Sequence, residues 1–460
     1  MIKIKILLVR PKPHKDSIGL QSFMICEPLE LEYLYSYLTE FGHNVIILDM
    51  ILEKKPLSYF IKKYQPDVVG FTSYITHVGV VKDYALEVKE INSKIVTVVG
   101  GVHAEVVPSD FEVKEIDYII KVNALDTFKE LLDNINRPVE VNKDLIKGIW
   151  KDNTKEYVIN TNFNYPHPSR ESTLKYRKKY NYIYHTKCAT IKTSFGCPYN
   201  CEFCFCTKIT QNKYFERDLN DVIDEIKHIK EKNIFIVDDN FLLKKDRVEE
   251  FCDLIKTNNI KKNYILFGRA DFIANNDDVI KKIAEIGVQA IFVGIESFKD
   301  DELNNYQKKT NVEMNIKAIS ILEKHGIQCY SGIIVGLDWE KKDFNNLIKY
   351  LNSSKFPAAV NIQPITPMPG TIIYDYYQDQ FIIPREKYEL WDMAHLVLKP
   401  SKLSIRKFYY HIVRSYLKTV ATFKSSFFII KRYGFITYMR VFFGAMHILR
   451  QYLKLIIKGR

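Results

Sequence analysis

The chain has 460 residues, of which 47% are hydrophobic and 27% are charged, and its formal net charge is +12. This length allows two or three domains with a sizeable core, while the absence of an apolar stretch long enough to span a bilayer excludes an integral membrane protein from our expectations. Eight cysteines without a charged-then-apolar signal segment at MIKIKILLVR indicate a reducing cytoplasm and argue against a disulfide framework.

The first 135 residues alternate strand-like and helix-like segments. The strand-like segments are IKILLVR, NVIILDM, DVVGFTS, KIVTVVGG and DYIIKV. Because these strands are apolar enough to be buried on both faces, the alternation predicts an α/β fold with a five-stranded, doubly wound parallel sheet. Such sheets bind ligands at the carboxyl ends of their strands, so the candidate loops are Pro11 to His14, Thr72 to His77 and Gly100 to His103.

Three cysteines, Cys197, Cys201 and Cys204, form a C-x3-C-x2-C triplet in TSFGCPYNCEFCFC. Thiolates this close favour an iron–sulfur cluster, and a cubane cluster held by three cysteines leaves one iron open to an outside ligand. The amino and carboxylate groups of S-adenosylmethionine (SAM) can chelate such an iron, which can then pass an electron to the sulfonium.

A structural zinc site is the alternative use of this triplet, with Cys206 or His185 as a fourth ligand. Structural zinc usually takes two pairs of ligands separated by a dozen or more residues, and no second pair follows here. The spacing therefore favours the iron–sulfur cluster, and we expect Cys206 to be a spare thiol.

Six strand-like segments separated by charged helical stretches surround and follow the triplet. They are ATIKTS, IFIVDDNF, YILFGRA, AIFVGIES, CYSGIIVG and AVNIQPIT. Six such units predict a partial (β/α)6 barrel, whose active site lies at the carboxyl ends of its strands. The cluster loop follows the first of these strands and so opens onto that face.

Residues 401–460 carry the excess positive charge. They contain no aspartate or glutamate, and their cations are Lys402, Arg406, Lys407, Arg414, Lys418, Lys424, Lys431, Arg432, Arg440, Arg450, Lys454, Lys458 and Arg460. Apolar residues recur at three- and four-residue steps from Ile405 to Val420, which predicts a C-terminal helical region. The composition fits an interfacial helix on anionic lipid. A helical cap with solvated cations and a surface for single-stranded nucleic acid are the alternatives.

The cysteine triplet, with Phe203 before its last cysteine, resembles the radical SAM superfamily. The segments EPLELEYLYSYL, GFTSYIT and VVGGVHAEVVP resemble the cobalamin-binding domain of cobalamin-dependent radical enzymes that act on lipids and pigments. The Pro-rich loop from Pro364 to Thr371 is similar to one in that subfamily. The resemblance implies a [4Fe–4S] cluster on the three cysteines, a 5′-deoxyadenosyl radical generated from SAM, and bound cobalamin.

The resemblance also implies which residues hold the cofactors. For SAM they lie at the strand ends of the predicted barrel: Phe203, Asp239, Asn240, Arg269, Gly294, Glu296, Ser297, Gly332 and Ile334. Among them, Glu296 is expected to accept hydrogen bonds from the amino group or ribose, and Arg269 to face the carboxylate. For cobalamin they lie at the strand ends of the predicted sheet: Thr72, Ser73, Gly100, Gly101 and His103.

Two departures from the family pattern concern cobalamin. No D-x-H-x-x-G motif supplies a lower cobalt ligand, and residues 121–125 read Lys-Val-Asn-Ala-Leu where relatives usually have a Gly-Glu-Gly-Glu turn. The missing glycines remove an easy close approach of the backbone to the cofactor. A domain that has kept its fold and lost cobalamin is therefore the alternative.

The predicted domains are a cobalamin-binding-like Rossmann-type domain over residues 1–140, a connector over 141–185, a radical SAM partial barrel over 186–400 and a basic, aromatic-rich helical tail over 401–460. We predict a radical SAM enzyme that methylates an unactivated carbon. Cyclisation, carbon–carbon bond formation or rearrangement of a lipid-like substrate without methyl transfer is the alternative.

The expected partners are a small-molecule or lipid-like substrate and an electron donor of the flavodoxin or ferredoxin type. The tail is expected to bring the catalytic face of this cytoplasmic protein to the inner, anionic surface of the membrane. Nucleic acid is not an expected partner.

Overall fold

Two compact units make up the protein. The structure, a computed structural model, describes residues 3–135, 146–151, 157, 159, 161, 163–353 and 359–459. The first unit comprises Met1–Ser17, Glu27–Arg177 and Arg385–Asp392, and the second comprises Ile18–Cys26, Lys178–Pro384 and Met393–Arg460. The predicted boundary at residue 140 lies outside the described residues.

Two short segments belong to a different unit from the residues that flank them in the sequence. Residues 18–26, inside the predicted cobalamin-binding-like domain, belong to the second unit, where Met24–Ile25 pairs antiparallel with Asn181–Tyr182. Residues 385–392, inside the predicted barrel range, belong to the first unit. These placements depend on contacts between distant parts of the chain, which local periodicity does not report.

The first unit is built on the predicted parallel sheet. Its strands are β1 (Lys5–Arg10), β2 (Asn44–Asp49), β3 (Val68–Thr72), β4 (Val96–Gly100) and β5 (Tyr118–Ile119), in spatial order β2-β1-β3-β4-β5. Its helices are α1 (Leu29–Glu40), α2 (Leu57–Tyr64), α3 (Val78–Ile91), α4 (Val102–Val106) and α5 (Ala124–Ile135). All neighbouring strands are parallel, which confirms the doubly wound sheet. The strand order reverses between β1 and β3, and ligands bind at such a switch point.

Apolar side chains fill both faces of this sheet. Leu7 and Val9 of β1 are buried in one cluster with residues of α2 and α3. Ile6 and Leu8 of the same strand are buried in a second cluster with residues of α1 and α5. Alternate residues of one strand thus serve two cores, which explains why the strand sequences are almost continuously hydrophobic.

The turn after β5 uses asparagine where relatives usually have glycine. Asn123 has a φ of 51°, in the left-handed region that asparagine tolerates better than most side chains. The Lys121 amide donates to the Gly148 carbonyl at 2.8 Å, and the Thr127 hydroxyl donates to the Val122 carbonyl at 2.9 Å. The altered sequence therefore still forms a hydrogen-bonded turn into α5.

The second unit contains the predicted partial barrel. Its six parallel strands are β6 (Cys188–Ile191), β7 (Asn233–Ile236), β8 (Asn263–Gly268), β9 (Val288–Glu296), β10 (Gln328–Val335) and β11 (Ala359–Pro364), adjacent in space in chain order. The helices among and after them are α6 (Cys206–Thr210), α7 (Leu219–His228), α8 (Lys245–Thr257), α9 (Ala270–Asn275), α10 (Asp277–Glu285), α11 (Asp300–Asn305), α12 (Val312–Lys324), α13 (Lys341–Asn352) and α14 (Ile372–Tyr377). The (β/α)6 prediction is confirmed.

Aromatic side chains close the amino-terminal end of the barrel. Phe235 of β7 and Tyr330 of β10 are buried in one cluster with Tyr182 and Tyr184. These two tyrosines belong to the strand pair before β6, in which Asn181–Tyr182 pairs antiparallel with His185–Thr186. The rings of Tyr182 and Phe235 are 4.2 Å apart, and those of Tyr184 and Tyr433 are 5.1 Å apart. This packing leaves the carboxyl ends of the strands as the functional face.

Three helices, α15 (Ile405–Thr419), α16 (Phe423–Tyr433) and α17 (Phe435–Lys458), confirm the predicted helical region. The end of α15 lies near the end of α13, where the Lys418 carbonyl accepts from Asn352 at 3.2 Å. Helix α16 then crosses the amino-terminal end of the barrel, where Arg432 donates to Gln289 of β9 at 2.9 Å. Helix α17 returns antiparallel to α15, and the Arg406 side chain donates to the Ile457 carbonyl at 3.1 Å.

The tail thus covers the flank of the barrel and the end opposite the cluster loop. The orientation of the catalytic face toward a membrane stays a prediction. Among the described residues, every helix is too short or too polar to cross a bilayer.

Candidate cofactor site

The three cysteines lie on the loop that follows β6. Gly196, directly before Cys197, has a φ of 93°, and a Cβ there would lie 2.1 Å from the Lys213 carbonyl oxygen. Only glycine fits this approach, so Gly196 fixes the path of the chain into the triplet. The Cys204 amide donates to the Cys201 carbonyl at 3.0 Å, which closes a turn between the second and third cysteines.

Burial disfavours the thiolate form of two cysteines of the triplet, Cys197 and Cys204. The three cysteines of the triplet are not in disulfides. Burial raises the pKa of Cys197 above its usual value and raises the pKa of Cys204 to about 11. Metal binding must therefore supply the free energy that keeps these thiols ionised. An iron–sulfur cluster does this, since its ligands are thiolates.

Both candidates for a fourth zinc ligand are engaged elsewhere. Cys206 is buried in α6 at hydrogen-bonding distance from Thr210, and His185 bonds to the Tyr330 hydroxyl at 3.0 Å inside the barrel. The donor set fits a three-cysteine iron–sulfur cluster.

Two adjacent aspartates after β7 hold the start of the cluster loop. Asp238 is buried and accepts from the Thr193 amide at 2.6 Å, the Thr193 hydroxyl at 2.5 Å and the Ser194 hydroxyl at 2.7 Å. Burial raises the pKa of Asp238, although these hydrogen bonds oppose the shift. Asp239 accepts from the Gly196 amide at 2.9 Å. Together they fix the loop against the end of β7.

Asn240, the next residue, is buried with its side-chain amide unpaired. It is 3% exposed, and neither Nδ2 nor Oδ1 has a hydrogen-bond partner among the described residues. Leaving such a group unsatisfied costs about 1–3 kcal/mol. Because Asn240 follows β7 beside the cluster loop, its free donor and acceptor fit the polar groups of SAM.

Glu296 ends β9 in a conformation that is rare for glutamate. Its φ is 59°, and the pairing of β9 with β10 shifts register between Gly294 and Glu296. Its carboxylate pairs with Lys308 Nζ at 2.7 Å, and the two side chains are only 12% and 8% exposed. A Cβ on Gly294 would lie 2.4 Å from Glu296 Oε1 and 2.6 Å from Lys308 Nζ. Gly294 therefore leaves room for this ion pair.

Arg269, after β8, ties the cluster loop to the barrel. Its Nε and Nη2 bond to the two carboxylate oxygens of Asp271, each at 3.0 Å, and Nη2 also donates to the Lys308 carbonyl at 2.6 Å. Its guanidinium lies 3.7 Å from the centroid of the Tyr199 ring, in the cluster loop. Asp271 already balances the charge of Arg269. Arg269, which the sequence predicts to face the SAM carboxylate, therefore also has a structural role.

Three more predicted SAM residues, Phe203, Gly332 and Ile334, lie near the ion pair of Glu296 and Lys308. Phe203 is half-buried, and Lys308 Nζ is 5.6 Å from its ring centroid. A Cβ on Gly332 would lie 3.8 Å from Glu296 Oε2. Ile334, two residues further along β10, points to the same face as Gly332 because side chains alternate along a strand.

Ser297, in contrast, points into the protein. It is fully buried, and its hydroxyl donates to Glu302 at 2.5 Å. Glu302 also accepts from the Trp339 indole at 2.6 Å. Ser297 therefore holds the loop after β9 and does not share the open side with Glu296.

In the first unit, the predicted cobalamin residues meet at the carboxyl ends of β3 and β4. The Ser73 hydroxyl donates to the Gly100 carbonyl at 2.9 Å, and the His103 amide donates to the Ser73 carbonyl at 3.1 Å. Gly101 has a φ of 91°, and a Cβ there would lie 2.7 Å from both the Ser73 nitrogen and Thr72 Oγ1. This turn keeps the close backbone approach that the altered turn after β5 lacks.

His103 is fixed by Asp110. Its Nε2 lies 2.8 Å from Asp110 Oδ2, and Arg385 donates to Oδ1 at 2.6 Å. Burial alone would raise the pKa of Asp110, but the bonds from His103 and Arg385 outweigh burial and lower it. The contact with Asp110 therefore fixes the orientation of the His103 ring.

Two family descriptions match neighbouring parts of the chain. The Radical SAM superfamily matches residues 191–351, which contain the cysteine triplet, and the B12 binding domain matches residues 17–132, which contain the Gly101 turn. The chain belongs to the cobalamin-binding radical SAM enzymes. This radical SAM enzyme therefore uses a [4Fe–4S] cluster, SAM and cobalamin, and the free thiols, the unpaired Asn240 amide and the Gly101 turn fit that set.

Known proteins resemble this radical SAM enzyme along most of its length. It is 27% identical over 430 residues to hopanoid C-3 methylase of Methylococcus capsulatus, covering 90% of this chain and 79% of that protein. It is 23% identical over 423 residues to the anaerobic magnesium-protoporphyrin IX monomethyl ester cyclase of Rubrivivax gelatinosus, covering 86% and 75%. The cobalamin-dependent SAM radical enzyme OxsB, solved with aqua-cobalamin and SAM, matches with a TM-score of 0.69 and 15% identity, covering 99% of this chain and 81% of that chain. The last likeness concerns the fold.

Sequence reasoning missed three residues of this radical SAM enzyme: Lys308, Asp271 and Tyr199. Lys308 lies 12 residues after Glu296 within DDELNNYQKKT, where a lysine follows no distinguishing pattern. Tyr199 lies inside the triplet, and a ring there could have been matched with the predicted Arg269 as a cation–π partner.

Proposed function

We propose that this enzyme methylates an unactivated carbon of a lipid-like substrate. The observation that carries the proposal is the 27% identity to hopanoid C-3 methylase over 90% of the chain. When bound, the cluster supplies the electron that cleaves SAM, and cobalamin carries the methyl group. The chain itself has to hold these groups, orient them and keep water from the substrate carbon.

In this proposal, Cys197, Cys201 and Cys204 bind three irons of the cluster and leave the fourth to SAM. Asn240 offers an unpaired donor and acceptor to SAM, and Glu296 accepts from its amino group or ribose. The other proposed SAM residues border or support this set: Phe203, Asp239, Arg269, Gly294, Ser297, Gly332 and Ile334. Lys308 joins them, because it balances the charge of Glu296.

Cobalamin is proposed to lie at the carboxyl ends of β3 and β4. Gly100 and Gly101 form a tight turn against the end of β3, Thr72 and Ser73 provide hydroxyl groups, and His103 is oriented by Asp110. We also propose the predicted division into residues 1–140, 141–185, 186–400 and 401–460 as the functional one. The structural units differ from this division, because residues 18–26 belong to the second unit and residues 385–392 to the first.

The test of this proposal starts from anaerobically purified full-length enzyme. It should contain about four irons per chain and bound cobalamin. Supplied with a strong reductant, SAM bearing a deuterated methyl group and a lipid extract from cells that lack the enzyme, it should form 5′-deoxyadenosine and place the label in a lipid. Formation of 5′-deoxyadenosine without labelled lipid would contradict methyl transfer.

Two cysteine variants provide the matched control for the cluster. Cys201→Ala should lose most of the iron and all SAM cleavage. Cys206→Ala should keep about four irons per chain, because the Cys206 thiol is buried against Thr210. A full cluster in Cys201→Ala, or a lost cluster in Cys206→Ala, would show that the ligand assignment is wrong.

Radical cyclisation of a lipid-like or pigment substrate is the second candidate, and the similarity to the magnesium-protoporphyrin monomethyl ester cyclase favours it. In that case the product would lack the deuterated methyl group and would have lost hydrogen. The same labelling experiment therefore separates the two candidates.

The remaining proposals concern partners and location. The chemistry requires a one-electron donor, for which a flavodoxin or a ferredoxin is the fitting class. The thiols of the triplet, which are not in disulfides, and an oxygen-labile cluster support a reducing, cytoplasmic location. The basic tail supports a peripheral position at an anionic membrane.

A further inference from the structure

The outer surface of α17 is apolar although it faces solvent. Six large side chains on it are more than 40% exposed: Phe435 62%, Ile436 86%, Phe442 43%, Phe443 64%, Leu453 44% and Ile457 74%. With 3.6 residues per turn, these positions share one face of the helix. We call these six residues, together with the exposed Phe423 and Phe427 of α16, the apolar strip.

Helix α16 extends the strip at the amino-terminal end of the barrel. Phe423 is 89% exposed and Phe427 is 61% exposed, one turn apart on the same side of α16. The opposite side of α16 is buried through Ile429, which belongs to the aromatic cluster of the barrel interior. The exposed phenylalanines are therefore not needed for packing α16 on the barrel.

The inner face of α17 already satisfies the packing of that helix. A Cβ on Gly444 would lie 2.8 Å from a ring carbon of Phe23, and the Tyr452 ring lies 6.0 Å from that of Tyr409. Arg440 donates to the Phe23 carbonyl at 3.0 Å. In the described part of the chain the outer face of α17 is thus left uncovered, and apolar surfaces of this kind mark interaction sites.

Cations lie among and beside the apolar residues of the strip. The exposed ones are Lys424, Lys431, Arg450, Lys454 and Lys458, whereas residues 401–460 contain no aspartate or glutamate. Three other cations of the tail, Arg406, Arg432 and Arg440, donate to protein oxygens. Helices whose exposed side chains are apolar or cationic are complementary to a surface that is apolar inside and anionic at its edge.

We propose that the apolar strip binds the surface of an anionic lipid bilayer, with its aromatic side chains at the headgroup boundary. A second copy of the chain fits less well, because a two-fold contact would set the cations of one strip against those of the other. Each cation at the surface raises the partition coefficient about fivefold.

The path of α17 determines how the barrel would lie on the bilayer. The helix runs along the flank of the barrel, from the amino-terminal end beside α16 toward the start of α15. With the strip on lipid, the barrel would rest on its side, and the cluster face would open along the membrane plane. This geometry differs from the face-down orientation that the charge of the tail alone predicts.

Vesicle flotation of the full-length enzyme tests the proposal. We expect flotation with vesicles of phosphatidylcholine and phosphatidylglycerol in equal parts, weak flotation with phosphatidylcholine alone, and loss of flotation in high salt. Ile436→Ser/Phe443→Ser should lower the partition coefficient at least about tenfold. Leu174→Ser/Ile316→Ser, which removes side chains 68% and 54% exposed outside the strip, should not lower it.

Iron content and circular dichroism of each variant establish that it is folded. Lys454→Glu/Lys458→Glu should weaken flotation with anionic vesicles and leave the weak binding to phosphatidylcholine unchanged. Equal flotation of the strip variant and the wild type would overturn the proposal. So would a dimer in light scattering that dissociates in Ile436→Ser/Phe443→Ser while anionic vesicles stay unbound, since the strip would then join two copies.

Discussion

At the scale of single residues, Lys308 connects parts of the site that no local motif connects. Its ammonium pairs with Glu296 at 2.7 Å and lies 5.6 Å from the centroid of Phe203, and its carbonyl accepts from Arg269 at 2.6 Å. Non-glycine residues with a left-handed backbone, such as Glu296, cluster at functional sites. The ion pair therefore holds a strained carboxylate where SAM is proposed to bind.

Replacing Lys308 with methionine tests this arrangement. Lys308→Met should lower 5′-deoxyadenosine formation by roughly ten- to a hundredfold and weaken SAM binding, with iron content unchanged. Removing one partner of a buried ion pair costs about 3–5 kcal/mol, so the urea midpoint should fall as well. Equilibrium dialysis with SAM and urea titration measure both effects. Lys309→Met, at an exposed neighbour, should change neither. If Lys308→Met bound SAM as tightly as the wild type, the ion pair of Lys308 and Glu296 would have only a structural role.

The cysteines and Lys308 show what a sequence reveals at this scale. The cluster needs three thiolates at short spacing, so its ligands form a motif that is visible in one segment. Lys308 acts through the register shift of β9 and through Gly294, which depend on the folded barrel. Ser297 is a further example, because sequence places it next to Glu296, whereas the twist of the loop buries its hydroxyl against Glu302.

At the scale of elements, two glycines in the first unit have the same backbone constraint and different surroundings. Gly101 has a φ of 91° and its Cβ would meet Ser73 and Thr72, whereas Gly42 has a φ of 82° and nothing lies within 4 Å of its Cβ position. An alanine at either position bears the left-handed penalty, about 1–2 kcal/mol. Only Gly101 adds a steric conflict with the end of β3.

Gly101→Ala and Gly42→Ala therefore form a matched pair. Gly101→Ala should destabilise the first unit by about 2–5 kcal/mol, the sum of the left-handed penalty and an overpacking cost of 1–3 kcal/mol. It should also bind cobalamin weakly. Gly42→Ala should lose only about 1–2 kcal/mol and keep cobalamin. Thermal unfolding and corrinoid absorbance measure the two effects. Equal cobalamin binding by both variants would contradict the assignment of the Gly101 turn.

The strand pair before β6 makes a pH-dependent contribution through His185. Burial, helped by Arg432 and Arg440, lowers the pKa of His185 to about 3. The folded protein keeps this ring neutral, while the unfolded chain takes up a proton below about pH 6.5. The contribution of the neutral His185 ring to the free energy of unfolding is therefore fully present above about pH 6.5. It is lost progressively as the pH falls toward 3. At pH 5 the expected loss is about 2 kcal/mol.

Urea titration of the second unit at pH 7 and pH 5 measures this loss. His185→Gln should remove that part of the pH dependence, because glutamine does not titrate. An unchanged pH dependence in His185→Gln would show that other groups cause the acid destabilisation.

Most elements were predictable because their sequence periods are local. Buried parallel strands are continuously apolar, and the charged helices between them repeat in the same order as the folded barrel. The placement of α16 and α17 was not predictable in this way. It rests on contacts such as that between Arg440 and the Phe23 carbonyl, 417 residues apart, and composition shows only that the tail is basic and helical.

At the scale of the whole molecule, each unit has its own hydrophobic core. The two clusters on the faces of the β1–β5 sheet and the large cluster around the barrel share no residue. Since the cores are separate, loss of the iron–sulfur cluster from one unit should leave the other unit folded. The proposed cofactor sites are divided in the same way between the units.

Hydrogen exchange of a variant without cluster ligands tests this independence. Cys197→Ala/Cys201→Ala/Cys204→Ala should lose its iron and expose amides of the loop after β6, while β1 to β4 keep wild-type protection. Hydroxocobalamin at about 100 times its dissociation constant should stabilise the first unit by about 2.7 kcal/mol. The added protection should concentrate at the ends of β3 and β4. Loss of protection in β1 to β4 of the variant would mean that the cores depend on each other. Cobalamin binding that protects other strands instead would move its site away from Gly101.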